Sequence, residues 1–302
     1  SLGGQDCSRD FLVAVIDASD PDQARLVREA VESCSDLETK YVAYPHAPSL
    51  ARQRNFGTDL LPAGVEIVHF MDDDVTLEPG YLEILTSILD TEPETGGVGG
   101  RVILPAAPRP RSGLRRLVAR FFLLESATPG KVLASGGVTG AQSMPLAGRV
   151  EVQCLAGCSA SYRRELIVRL RFDDRLEGYS MDEDFDFSYR VGRIAKLFIE
   201  PSARLIHYVS PTNRHSIRAS RRDLVVYRYW FIEKNIKHPL KKPAFWWKVF
   251  GSFLMTTLSR NPDAREARKG IVDGVSIVLR RAHPLLGAIQ PSPTRQGRPT
   301  AS

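Results

Sequence analysis

Through residue 103, short apolar runs and helical patterns take turns. "FLVAVI" (11–16) reads as a buried strand that ends in "DASDPD", where Asp20 suits a helix N-cap and Pro21 the first helical position. "DQARLVREAVESC" then repeats apolar residues at helical spacing. "ETKYVAY", "VEIVHFM" and "GGVGGRVIL" read as further strands, with "SLARQRNFGTDLL" and "PGYLEILTSILD" as the helices among them. Alternation at this interval predicts an α/β fold: a mostly parallel sheet flanked by helices.

The pattern then loosens. Residues 105–150 are rich in Pro, Gly, Ser and Ala around a short basic helix, too long for a plain connector, and read as a substrate-facing loop region. "VEVQCLAGCSASYRRELIVRL" (150–170) supplies another strand and helix. From about residue 210 the chain turns to basic, aromatic helices, and its last stretch has the composition of a disordered tail. The expected organisation is an α/β domain over 1–210, a helical extension over 211–285 and a tail over 286–302; 302 residues suffice for that.

The formal charge of +6 is uneven. Carboxylates concentrate in 72–94 and 173–186, basic residues in 109–120, 214–222 and 237–242. Such asymmetry suits an anionic partner. The absence of a stacking motif or zinc-finger pattern speaks against nucleic acid. Cys7, Cys34, Cys154 and Cys158 form no CxxC pair and are expected to be free thiols in a reducing compartment. "AFWWKVFGSFLMTTL" (244–258) is interrupted by Lys248 and falls short of the ~20 residues a spanning helix needs. With no signal-peptide pattern, a cytoplasmic protein is expected. The lysines 237, 241 and 242 ahead of that aromatic helix, with Trp246 and Trp247, suit an anionic membrane surface, so the location extends to the inner face of the cell membrane.

Two acidic clusters carry the chemistry. In "EIVHFMDDDVTLEPG" an apolar strand runs into Asp72, Asp73 and Asp74, placing carboxylates at the end of a sheet where open α/β folds bind ligands. Hard oxygen donors there suit Mg2+ or Mn2+ shared with a substrate's phosphates. The same letters also fit the opening motif of the haloacid dehalogenase phosphatases, with Asp72 as nucleophile and Asp74 as acid/base, although the second cluster lacks the apolar strand that family places before it. That second cluster, "MDEDFDFSYRVGR", reads as a helix starting within its own carboxylates, with Asp182, Glu183 and Asp184 near the positive end of its dipole. A carboxylate there suits a general base.

In order, "VIDASDPD", "SLARQRNFGTDLL", "FMDDDV", "GCSASYRREL", "DEDFDFSYR" and "PSARLIHYVSP" resemble the motifs of the inverting family 2 glycosyltransferases, over about residues 1–235. The resemblance implies a GT-A nucleotide-sugar fold, a nucleotide-sugar donor, a glycan or lipid-linked acceptor and a Mg2+ or Mn2+ cofactor. It implies Asp72, Asp74 and His207 at the metal, and Asp17, Arg54, Asp72 and Asp73 at the donor. Asp184 would be the catalytic base, with Glu183 beside it. Ala18 stands where the family often has a second acid. The processive Gln-x-x-Arg-Trp motif is missing, since "VVYRYWF" (225–231) lacks the glutamine, and this implies transfer of one or a few sugars. Because the family opens with a further strand and helix, the chain "SLGGQDCSRD…" is expected to lack a first βα unit and to be a truncated form of a longer product.

Overall fold

The computed structural model describes residues 2–105, 113–177, 181–208 and 216–287. In chain order its main elements are β1 (Leu12–Asp17), α1 (Pro21–Glu32), β2 (Glu38–Ala43), α2 (Leu50–Asp59), β3 (Ile67–Met71), β4 (Val75–Leu77), α3 (Tyr81–Thr91), β5 (Thr95–Ile103), α4 (Gly113–Phe121), β6 (Val150–Val152), β7 (Ser159–Arg163), α5 (Arg164–Leu170), α6 (Glu183–Val191), β8 (Lys196–His207), α7 (Ile217–Asn235), α8 (Lys241–Thr257), α9 (Ala264–Arg280) and α10 (Pro284–Gly287). The chain divides into two compact units. One comprises Ser1–Ser112, Ser126–Val132 and Val138–Arg214; the other comprises Gly113–Glu125, Leu133–Gly137 and His215–Ser302.

The first unit is the expected α/β layer. Its main sheet has the order β3-β7-β5-β8-β4, with β6 sharing the edge of β8. β5 and β8 pair in parallel, and β3 runs in their sense because both β3 and β5 are antiparallel to the intervening β7. The short β4 and β6 oppose β8. β1 and β2 form a separate parallel pair, and among the described residues no ladder joins it to the main sheet. Local chemistry starts the helices as the sequence suggests. Asp20 accepts from the Gln23 N–H at 3.1 Å with Pro21 opening α1, and the Ser49 hydroxyl caps α2. The core on one face is α3 against β5 and β8, with Leu82, Leu85 and Leu89 buried on Val98, Val102 and Leu205.

Two regions differ from expectation. Residues 150–170 hold two strands, β6 and β7, before their helix, where one was expected. The basic helix α4, expected within a substrate-facing loop, belongs to the helical unit.

That second unit is built on α7, whose Val226, Trp230, Phe231 and Ile232 are buried, with α9 packed along it. α4 crosses α8 where Phe122 lies on Gly251; any side chain at Gly251 would run into that ring. Among the described residues no helix is long and apolar enough to cross a membrane. All four cysteines are free. The expected 210/211 boundary, the residues just before Met181 and the tail from residue 288 on lie outside the described residues.

Candidate active site

Strand register assembles the first cluster. β3 pairs with β7 so that Met71 faces Ser159. One step further, Asp72 therefore comes up against Cys158. β4 pairs with β8 so that Val75 faces His207, and the Tyr208 N–H donates to the Asp74 carbonyl at 2.9 Å. As a result, one ligand-capable atom from each of Asp72, Cys158 and His207 lies within 4.8 Å of the other two.

This differs from the expected trio of Asp72, Asp74 and His207. Asp74 falls outside the cluster, with its Oδ1 2.9 Å from His207 Nε2, whereas Asp72 Oδ2 is 4.0 Å from that nitrogen. Asp73 is exposed.

The countercharge to these carboxylates is Arg54. The Asn55 amide anchors α2 by donating to the Phe172 carbonyl at 2.9 Å, while its oxygen accepts from the Phe172 N–H at 2.9 Å. Arg54, one residue earlier, is buried, with Nη1 2.5 Å from Glu183 Oε1 and Nη2 3.7 Å from Asp72 Oδ1. Phe70 and Phe172 flank its guanidinium at 5.4 and 5.5 Å. The backbone of Gly157 closes the remaining side, where a Cβ would stand 2.6 Å from both Nη atoms. Burial disfavours the Arg54 charge, but Glu183, Asp184 and Asp72 outweigh it and hold the pKa above the ordinary value. Burial, reinforced by Asp184, pushes the Glu183 carboxyl up to about 8 against the pull of Arg54. Burial likewise raises Asp72, and it drives the Cys158 thiol up to about 12.

Glu183 and Asp184, paired in the sequence reading, separate in the structure. Glu183 turns inward to Arg54. Asp184 is half-buried, with Oδ2 accepting from the Gly157 N–H and Oδ1 from the Phe185 N–H, both at 2.7 Å. The loop that carries Gly157 and Cys158 is pinned from two sides. The Leu155 N–H donates to Ser188 Oγ at 3.1 Å, and the buried Gln142 amide accepts from the Ala156 N–H while donating to Ser159 Oγ at 2.5 Å.

Asp17 ends β1. Burial pushes its carboxyl up, but donation from Ser19 and the Tyr41 hydroxyl prevails and holds it below the usual carboxylate range. Gln142, Gly157 and Cys158 are contributors the sequence reading did not single out.

No protein-family model matches the sequence, and no curated protein matches it. Solved structures do. GalNAc-T7 with UDP, GalNAc and Mn2+ superposes with a TM-score of 0.53 at 12% identity, over 90% of this chain and 52% of that protein. The chain thus spans about half the length of that match. The mannosyltransferase PcManGT from Pyrobaculum calidifontis, in complex with GDP-Man and Mn2+, aligns at 16% identity over 88% of this chain and 77% of its own, with a TM-score of 0.49. The shared feature is the fold, an α/β sheet of the GT-A type. These matches lend no support to the phosphatase alternative.

Proposed function

We propose that, on its GT-A fold, the chain moves a sugar from a nucleotide-sugar donor to a hydroxyl of a glycan or lipid-linked acceptor, with inversion and without processivity, in the manner of family 2. One observation carries the reading. The buried Arg54 joins Asp72 of the first acidic cluster to Glu183 of the second, so two motifs far apart in sequence serve one site. The UDP and Mn2+ bound in the GalNAc-T7 structure support a nucleoside diphosphate and a divalent cation here.

Asp72 and His207, with Asp74 Oδ1 2.9 Å from the imidazole Nε2, are the residues that would hold Mg2+ or Mn2+, a nitrogen and oxygen donor set that fits such a cation. When bound, the cation supplies positive charge to a departing diphosphate. Asp184 receives one backbone N–H on each oxygen and keeps further lone pairs for the acceptor hydroxyl, whose proton it takes. The acceptor oxygen then attacks the anomeric carbon from the face opposite the leaving group. A single displacement inverts the centre and needs no protein nucleophile. Glu183 acts through Arg54 rather than on substrate. Asp17 and the exposed Asp73 are assigned to the nucleoside side of the donor. Trp230, in the segment nearest to a processive motif, is buried in the helical unit, which suits one or a few transfers.

Nucleoside diphosphate release from a panel of nucleotide-sugars with Mn2+ tests this. Asp72→Ala should lower the rate by at least about 10², the usual loss for a charge-stabilising group. Asp72-dependent phosphate release from phosphomonoesters, with no donor turnover, would replace the reading by a phosphatase.

The second unit fits an acceptor that stays in a bilayer. Of the two tryptophans expected at the membrane, Trp246 turns onto Tyr229, and Lys241 and Lys242 lie 3.5 and 3.3 Å from Glu233. α8 keeps Trp247, Phe250 and Phe253 exposed, and α4 adds Leu114, Leu117 and Phe121, 72%, 65% and 63% exposed, beside Arg116 and Arg120. Trp247 links the two helices, its Nε1–H donating to the Phe121 carbonyl at 2.9 Å. Apolar side chains rimmed by arginine suit the headgroup region of an anionic membrane. Arg116→Ala with Arg120→Ala should weaken binding to phosphatidylserine vesicles by about 2 kcal/mol, more than tenfold, at about 1 kcal/mol per charge. Leu114→Ser with Leu117→Ser should weaken it at any salt concentration. Sedimentation indifferent to both pairs would remove the membrane from the proposal.

A further inference from the structure

We infer that Cys158 is a metal ligand, its sulfur completing with Asp72 and His207 a carboxylate–thiolate–imidazole cradle that favours a borderline cation such as Zn2+ or Co2+ over Mg2+. The inference rests on the divalent-metal role proposed for Asp72 and His207.

The position of the sulfur follows from the sheet. The Met71–Ser159 register sets Cys158 beside Asp72, and the neighbours of Cys158 are tied down on both sides. The Gly157 N–H is committed to Asp184, and the Ser159 hydroxyl donates to the Gly100 carbonyl at 3.2 Å. A free cysteine in a core is usually a small hydrophobe, and Cys158 does border the cluster beneath α3. Yet its Sγ lies within 4.8 Å of a carboxylate oxygen and an imidazole nitrogen. Neither contact serves a hydrophobe.

The donors also have suitable spacing. Around a tetrahedral Zn2+, oxygen, nitrogen and sulfur ligands stand about 3.3–3.6 Å from one another, so the present cradle needs to close by roughly an ångström. Three protein ligands leave a position open for a diphosphate oxygen, as catalytic zinc sites do. Sulfur is what separates the candidates. Mg2+ takes oxygen ligands in a strict octahedron, whereas thiolate and imidazole suit Zn2+ and its spectroscopic stand-in Co2+. On coordination the thiol proton leaves to solvent.

Titrating the full chain with Co2+ reads the sulfur directly. A thiolate-to-cobalt charge-transfer band should appear in the near ultraviolet, fade as Zn2+ competes, and persist when Cys7, Cys34 and Cys154 are replaced by serine. Cys158→Ser should lose the band and weaken Co2+ binding at least about tenfold, the lower end of what even a supporting residue costs a metal site. Its Mn2+ affinity, read from the free-ion paramagnetic signal, should stay within about threefold, because Mn2+ does not favour sulfur. Co2+ bound without the band would overturn the inference and leave the proposed function standing. If neither Co2+ nor Mn2+ binds, with or without UDP or GDP, the metal role of Asp72 and His207 fails and the inference goes with it.

Discussion

Arg54→Met should destabilise the first unit by about 3–5 kcal/mol above about pH 8, where Glu183 is ionised, the usual cost of removing one partner from a buried ion pair. Methionine keeps the apolar stem between Phe70 and Phe172 and deletes only the guanidinium. The Glu183 carboxyl then loses its 2.5 Å partner in a site where burial already raises its pKa to about 8. The pH dependence identifies the cause. A carboxyl whose folded pKa lies above its unfolded value near 4.5 binds more protons in the folded state, so stability falls as pH rises between those two values. Without Arg54 the folded value climbs further. The gap between variant and parent should therefore be nearly constant below about pH 8 and widen above it, where the parent's Glu183 ionises beside Arg54 and the variant's does not, as urea melts at about pH 7 and pH 9 would show. Arg54→Lys should recover part of the loss, because a point charge cannot face Glu183 and Asp72 in the manner of a planar fork. A melt displaced equally at both pH values would mean that the damage is packing and that Arg54 is not the countercharge.

This residue also marks where the sequence stops being readable. Arg54 was legible as part of a helix with a ligand-contact signature. Its closest carboxylate is more than a hundred positions away, in a helix whose acidic start reads equally well as self-capping. Local rules supplied the strand–helix alternation, the Asp20–Pro21 start of α1 and the Ser49 cap of α2, because those signals depend on residues within one turn. They did not supply β7. A strand entering antiparallel between β3 and β5 is chosen by what its two neighbours leave open, and "SASYR" carries no mark of it. Yet that insertion sets Met71 opposite Ser159 and so makes Cys158 a neighbour of Asp72. Gln142 was hidden for a similar reason. It sits in a Gly- and Pro-rich stretch read as loop, and only the fold shows its amide holding the Ala156 N–H. On α8, adjacent Trp246 and Trp247 point about 100° apart, and the contact with Tyr229 decides which one turns inward.

Asp184→Asn should lower kcat by about 10²–10⁴, the range for a lost general base, while the affinity for nucleoside diphosphate with Mn2+ stays near that of the parent. The geometry makes the substitution more than a change of charge. Both Asp184 oxygens accept backbone N–H groups, from Gly157 and from Phe185. An asparagine can accept only one of them through its oxygen, and its NH2 must then face the other N–H, donor against donor. The variant should therefore also lose about 1–3 kcal/mol of stability, the cost of one buried donor left unpaired. Separating the two effects is straightforward, since unfolding reports the hydrogen bond and kcat at a temperature well below the melt reports the base. Asp184→Glu supplies the control: it restores a proton acceptor at a shifted position, and should recover some turnover that Asp184→Asn cannot. Nucleotide protection against thermal unfolding completes the test, because a residue on the acceptor side should leave that protection unchanged. If protection vanished together with turnover, Asp184 would belong to the donor site. The base would then have to be sought elsewhere in the cluster.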